Sequence, residues 1–192
     1  MKALRSLAVG LLVAFGAVAF IWVTTTALAQ EAAQGATEAA KPGYIGSDKC
    51  KLCHKGAKKG EVYEKWEASA HAKAFTVLPE ASQKDASCLA CHSTGFGKGG
   101  FAAGAEGAEV HANVGCEACH GPGSGYKSNK VMKDREASVA AGLIIPKEET
   151  CAGCHAAEIP KACWAGKDAA PKFVFAEAFK TIEHKVPKVA AE

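Results

Sequence analysis

CKLCH at Cys50–His54 is the stretch that decides what this chain folds around. The same arrangement returns as CLACH at Cys88–His92, CEACH at Cys116–His120 and CAGCH at Cys151–His155. Two thiols separated by two residues, with an imidazole directly after, form the attachment signature of a c-type haem. The thiols make thioether bonds to the porphyrin vinyl groups, and the adjacent His becomes the proximal iron ligand. Four copies predict four covalently bound c-type haems. The attaching residues are Cys50, Cys53, Cys88, Cys91, Cys116, Cys119, Cys151 and Cys154, with His54, His92, His120 and His155 as proximal ligands.

Other chemistries use paired cysteines. Two CxxC pairs make a tetrahedral zinc site, eight cysteines make four disulfides in an exported chain, and a single CxxC serves thiol redox exchange. None of these needs a His after the second Cys, yet all four copies have one, and they use eight of the nine cysteines. The ninth, Cys163 in ACWAG, belongs to no motif. It reads as a small buried apolar residue near Trp164, or as a free thiol for an intermolecular bridge.

Outward from the motifs, the N-terminus reads as a targeting segment. Lys2 and Arg5 precede an uncharged apolar run, Leu7 to Val23, and Ala27-Leu28-Ala29 offers a small-x-small cleavage site before Gln30. The expectation is a signal peptide over residues 1–29 cleaved after Ala29, and a periplasmic or otherwise exported protein. The run of 17 residues sits at the short edge for a membrane span, so contact with a membrane comes only through an uncleaved leader. Residues 30–43 are small and polar and read as a flexible linker, 44–187 as the haem-bearing domain and 188–192 as a tail. The formal charge of +3 falls to +1 without Lys2 and Arg5, and haem propionates carry it to the acidic side. The lysines therefore read as a solvated face with some propionate pairing, and no nucleic-acid partner is expected.

The motifs start at residues 50, 88, 116 and 151, too unevenly for a solenoid. With about 41 residues per haem, side chains alone cannot build a large core, and the porphyrins must supply much of the buried apolar area. The fold class expected is mainly α: short helices and long loops wrapped around four haems, with minimal β. Helices are expected at the motifs, over EVYEKWEASAHAKAF (Glu61 to Phe75), from about Asn129 to Ala141, and from Ala176 to Lys185. Lys172 to Phe175 has a short strand-like pattern. Six glycines in the 13 residues from Gly95 to Gly107 read as a long mobile loop; without a GK[ST] ending they do not read as a phosphate loop.

Seven His are present, and four are proximal. His71, His184 and His111 remain as distal ligands for four irons, so at least one iron is open, takes another residue or borrows a His from a neighbouring subunit. Met132 is a possible sulfur ligand, though a Met in a helix more often packs. Tyr126 and Lys127 are weaker candidates.

Four segments carry a resemblance: YIGSDKCKLCH, YEKWEASAHAKAF, CLACHSTGFGKGGF and VGCEACHGPGSG. Together with the last CxxCH and the C-terminal helix bearing His184, the chain from about Tyr44 to His184 resembles the tetrahaem cytochromes of the cytochrome c-554 type. The resemblance implies a mainly helical multihaem fold with closely packed haems. It implies that His71 lies opposite His120 on the third haem, that His184 lies opposite His54 on the first, and that the haem on His92 has a vacant distal side. The family places a further His shortly after CHGPG for the fourth haem. Here GPGSGYKSNK has none, and His111 is the hypothetical substitute for the haem on His155.

The function these readings support is an exported tetrahaem cytochrome that transfers electrons between redox protein partners; the resemblance points to a hydroxylamine-oxidising enzyme as one of them, and other donors are equally compatible with this sequence. One alternative is a nitric oxide or nitrite reductase working at an open haem on His92, screened by the Gly95–Gly107 loop. Another is a subunit of a haem-lined filament, in which the next copy supplies the missing His.

Overall fold

A computed structural model of the chain describes residues 41–155, 158–163 and 172–185. The expected leader, most of the expected linker, Trp164 and the expected tail lie outside the described residues. A compact unit begins at Pro42 and holds every motif.

Each CxxCH motif occupies a short helix. α1 (Ser47–His54) and α7 (Glu148–His155) hold the first and fourth; α3 (Ala86–His92) and α4 (Cys116–His120) hold the second and third. A helix places residues i and i+3 on one side, so it turns both cysteines of CxxC the same way, with the His one step on. α3 is started by Asp85, whose carboxylate accepts the Ser87 N–H at 2.8 Å. The other helices are α2 (Val62–Ala68), α5 (Asn129–Met132), α6 (Arg135–Ala140) and α8 (Phe175–Ile182).

Three expected helices are shorter than their sequences allow. The stretch Glu61–Phe75 breaks at Ser69, whose backbone is extended and whose hydroxyl donates to the Trp66 carbonyl at 2.6 Å; a separate 3-10 turn, His71–Lys73, follows. Outside contacts impose the break. The Trp66 indole N–H donates to Val114 O at 2.9 Å, Val114 N–H donates to His71 O at 3.0 Å, and Phe75 N–H donates to the Asn113 side chain at 2.9 Å. The Asn129–Ala141 stretch divides because Asp134 starts a new helix by accepting from Ala137 N at 3.0 Å. α8 ends at Ile182, so His184 stands beyond it rather than within it.

Among the described residues β structure is limited to a single bridge, Ser93 with Ala112. Residues 172–174 are irregular and Phe175 opens α8, so the strand-like reading of Lys172 to Phe175 is not realised. The Gly95–Gly107 segment is anchored rather than free. Thr94 N–H donates to His111 O, Phe101 N–H donates to Thr94 O, and Phe101 is buried against Phe75 with ring centres 5.1 Å apart. Gly95 is required here: its φ is +69°, and an added Cβ would meet the Tyr44 ring at 2.5 Å. Gly95→Ala is expected to lower stability by about 1–3 kcal/mol, read as a shift in the urea midpoint.

The apolar core is small. The buried apolar residues among those described are Tyr63, Leu78, Cys88, Leu89, Phe101, Tyr126 and Cys163. Tyr63 ties α2 to α1: its hydroxyl donates to Asp48 at 3.2 Å, its ring meets Trp66, and the Lys51 ammonium lies 4.7 Å from its ring centre.

Candidate haem sites

The four motif helices meet in two pairs. α1 packs against α4, and the Cys50 thiol lies against that of Cys116. The Cys91 thiol likewise lies against Cys154, joining the second motif to the fourth. Within each pair one thiol is shifted down by the hydrogen bond it receives, Cys116 from Cys50 and Cys91 from Cys154, and its partner is shifted up.

Glu117, the second residue of the third motif, fastens the first pair. It is 2% exposed, and its carboxylate accepts from Ile45 N–H at 2.9 and 3.0 Å, from Gly46 N–H at 2.7 Å and from Gly123 N–H at 2.6 Å. One side chain therefore binds the entry to α1, the α4 helix and the GPGSG bend. Ser47 adds a bond from Cys116 N at 3.2 Å, and Ser124 accepts from Gly43 N at 2.7 Å. Tyr126 is part of the same frame: its hydroxyl donates to His120 O and Gly121 O, so it is not placed as an iron ligand.

The histidines come together across long stretches of chain. The His71 and His155 ring centres lie 6.0 Å apart, and those of His120 and His184 lie 5.9 Å apart. Two imidazoles on opposite faces of one iron, each with a metal–nitrogen bond of about 2 Å, have ring centres roughly 6 Å apart. The pairing differs from the one the resemblance implies. His71 meets the fourth motif's His instead of the third's, and His184 meets the third's, with His54 close enough to feel its charge. The clamp of residues 113–114 on residues 66–75 sets where His71 reaches. His111 sits on the 3-10 turn Ala108–His111, packed against α1, with its ring 6.2 Å from that of Tyr44. Its carbonyl accepts from Thr94, two residues after His92, so His111 lies between the first and second motifs.

Burial holds His54, His71, His120 and His155 below the ordinary imidazole range. That favours the neutral, ligating form. His120 Nδ1 lies 3.0 Å from Ile144 O, and His184 Nδ1 lies 3.0 Å from Ile182 O; His92 Nδ1 bonds Ala74 O. A proton held on Nδ1 by a carbonyl leaves Nε2 for a metal. The Nδ1 atoms of His54 and His111 are buried without a protein partner.

These residues fit c-type haem at three motifs, where both thiols are free and a neutral imidazole stands beside them. Beside Cys53 a cavity of about 510 Å³ has Ile45 and Leu52 for apolar walls and Lys49 and Lys127 at its edge, as a porphyrin and its propionates require. Among the described residues no group of three or more His, Cys, Asp or Glu side chains converges as a metal-ion cage. The second motif differs. Cys88, expected as a thioether cysteine, is joined by a disulfide to Cys163, because α3 packs against the 3-10 turn Lys161–Cys163 and both sulfurs are buried together. Cys163 is thus neither a lone apolar filler nor an intermolecular thiol. Sequence reasoning missed both this pair and Glu117; the one visible signal was an acidic residue inside a CxxCH motif.

The family described as "Cytochrome c554 and c-prime" matches residues 49–121. Cytochrome c-554 of Nitrosomonas europaea is 32% identical over 150 residues, covering 63% of this chain and 61% of that protein's length. The solved structure of the reduced state of cytochrome c554 from Nitrosomonas europaea superimposes with a TM-score of 0.52 at 27% identity, covering 74% of this chain and 79% of that one. Four short motif helices, little β structure among the described residues and these matches lead to one conclusion: the chain has a mainly α fold and is similar to the cytochrome c-554 family.

Proposed function

We propose that this protein is an exported, tetrahaem electron carrier that passes electrons between redox protein partners. The observation that carries this reading is the convergence of the four motif helices in two thiol-to-thiol pairs, with two imidazole pairs at iron-bridging separation. When bound, c-type haem supplies an iron that gains and loses one electron. The chain's own residues do the rest. The thiols anchor, the motif helices set neighbouring sites side by side, and Glu117 and the residue 113–114 clamp hold that spacing. His71 serves the site of His155, His184 serves that of His120, and His111, on the turn packed against α1, serves that of His54. The site of His92 keeps one open position. The buried imidazoles would hold the iron rigidly, which would limit reorganisation as charge moves. Export through the leader supplies the compartment in which such haems are attached.

Intact mass and a pyridine haemochrome assay on the purified protein are expected to give four covalent haems and a chain starting at Gln30. EPR of the oxidised protein is expected to show three low-spin irons and one high-spin. Fewer haems, or no reversible reduction in potentiometry, would remove the carrier reading.

A second reading has one observation in its favour. No imidazole ring pairs with that of His92 among the described residues. An iron held there by His92 alone would bind small ligands, and the second reading is a nitric oxide or nitrite reductase. Fully low-spin EPR, with no Soret shift on adding nitric oxide, excludes that reading.

A further inference from the structure

Of the buried residues described, Glu117 alone carries a charge. It lies inside the third motif, directly after Cys116. Its Oε1 accepts from Ile45 N–H at 2.9 Å and Gly123 N–H at 2.6 Å, and its Oε2 accepts from Ile45 N–H at 3.0 Å and Gly46 N–H at 2.7 Å. Every partner is a donor, so the form that fits is the ionised carboxylate, which only accepts. No Lys, Arg or His among the described residues pairs with it; the ion pair described there joins Lys185 to Glu183. Fastening alone does not require a charge. Ser47 and Ser124 hold backbone N–H groups in the same frame with neutral hydroxyls. What the carboxylate adds is a full negative charge held away from water.

That charge acts on the first and third motifs. The Cys50 thiol is pushed up by its bond to Cys116 and by burial, with the charges of Cys116 and Glu117 adding to the push. Burial raises the Tyr44 and Tyr126 hydroxyls, and Glu117 raises both further. At the fourth motif the Cys154 thiol is raised by its bond to Cys91, by burial and by the charges of Cys91, Cys119 and Cys151. We propose that Glu117 tunes electron transfer: its fixed negative charge lowers the reduction potentials of the first and third haem sites and so biases electrons away from the α1–α4 pair, towards the fourth site. The proposal rests on the reading of the first and third motifs as haem sites, and each of these offers two free thiols. Reduction places on an iron one electron lost by a donor protein, and a nearby negative charge opposes its arrival. A unit charge acting across roughly 12 Å at an effective dielectric of about 20 changes such an equilibrium about tenfold, or about 59 mV in a one-electron couple.

The test is a spectropotentiometric titration of the full loaded protein as wild type, Glu117→Gln and Glu117→Asp, with EPR assigning the midpoints and urea unfolding run on the same samples. Glu117→Gln keeps the length and one acceptor oxygen but removes the charge. Two midpoints are expected to rise, each by about tenfold in the ratio of reduced to oxidised iron (about 59 mV), while the others move less than about threefold. Glu117→Asp keeps the charge on a shorter stem, so it is expected to lose stability with its midpoints within about threefold of the wild type. Equal rises in the Gln and Asp variants assign the effect to loosened packing and overturn the proposal. So do Gln midpoints that stay at the wild-type values, or a rise shared by every haem. Should Glu117→Gln fail to load, Glu117→Asp decides alone: midpoints held despite lost stability support the charge, and a tenfold rise overturns it. Peptide mapping that finds no haem on Cys50–His54 or Cys116–His120 defeats the haem reading of those motifs instead.

Discussion

Replacing Glu117 by alanine is expected to destabilise the loaded protein by about 3–5 kcal/mol, because three backbone N–H groups, two of them buried, lose a charged acceptor at once. The loss is not confined to a surface bond. Ile45 and Gly46 lead into the first motif and Gly123 follows the third, so the carboxylate joins both sides of the α1–α4 pair. Glu117→Gln keeps an acceptor oxygen but turns an amide donor toward N–H groups, and a smaller loss of about 2–3 kcal/mol is expected. Urea unfolding followed by far-UV circular dichroism measures both. A change within about 0.5 kcal/mol for the alanine variant would show that water replaces the carboxylate and that the fastening is dispensable.

His71→Ala is expected to convert one of the low-spin irons to high-spin and to raise that haem's potential, since a neutral nitrogen donor that favours the oxidised iron is lost. The structure assigns this effect to the fourth haem, because the His71 ring stands 6.0 Å from that of His155. EPR counts the irons, and the assignment is tested in a Cys151→Ala, Cys154→Ala background that lacks the fourth haem. There, removing His71 is expected to leave the remaining low-spin count unchanged. A further low-spin iron lost in that background moves His71 to the third haem, the place the resemblance gives it. The wild-type background carries the haem-count and spin readouts independently, should the double variant fail to fold.

Much of this was legible because it is local. A CxxCH motif writes its chemistry in five residues, and the helix that presents it needs one or two turns. Helix starts were less legible. Ser69 and Asp134 sit in stretches of good helical propensity, and the breaks there follow from hydrogen bonds made to Val114 and within the next helix. The Gly95–Gly107 stretch has the composition of a mobile loop, but Phe101 finds Phe75 and anchors it. The tally of seven histidines against four CxxCH motifs was also readable from composition alone, and it leaves three histidines outside the motifs for four motif histidines.

What the sequence by itself determined was therefore the four CxxCH motifs, the mainly helical character and the three histidines left over for four motif histidines. Only the tertiary structure decided which groups meet. It placed His71 against His155 and His184 against His120, drew Glu117 onto the N–H groups of Ile45, Gly46 and Gly123, and joined Cys88 to Cys163 across 75 residues. The physical reason is the range of the forces concerned. Covalent spacing and backbone propensity act over a few residues, while burial selects partners by where the folded chain leaves them, and no local pattern in this sequence records that choice.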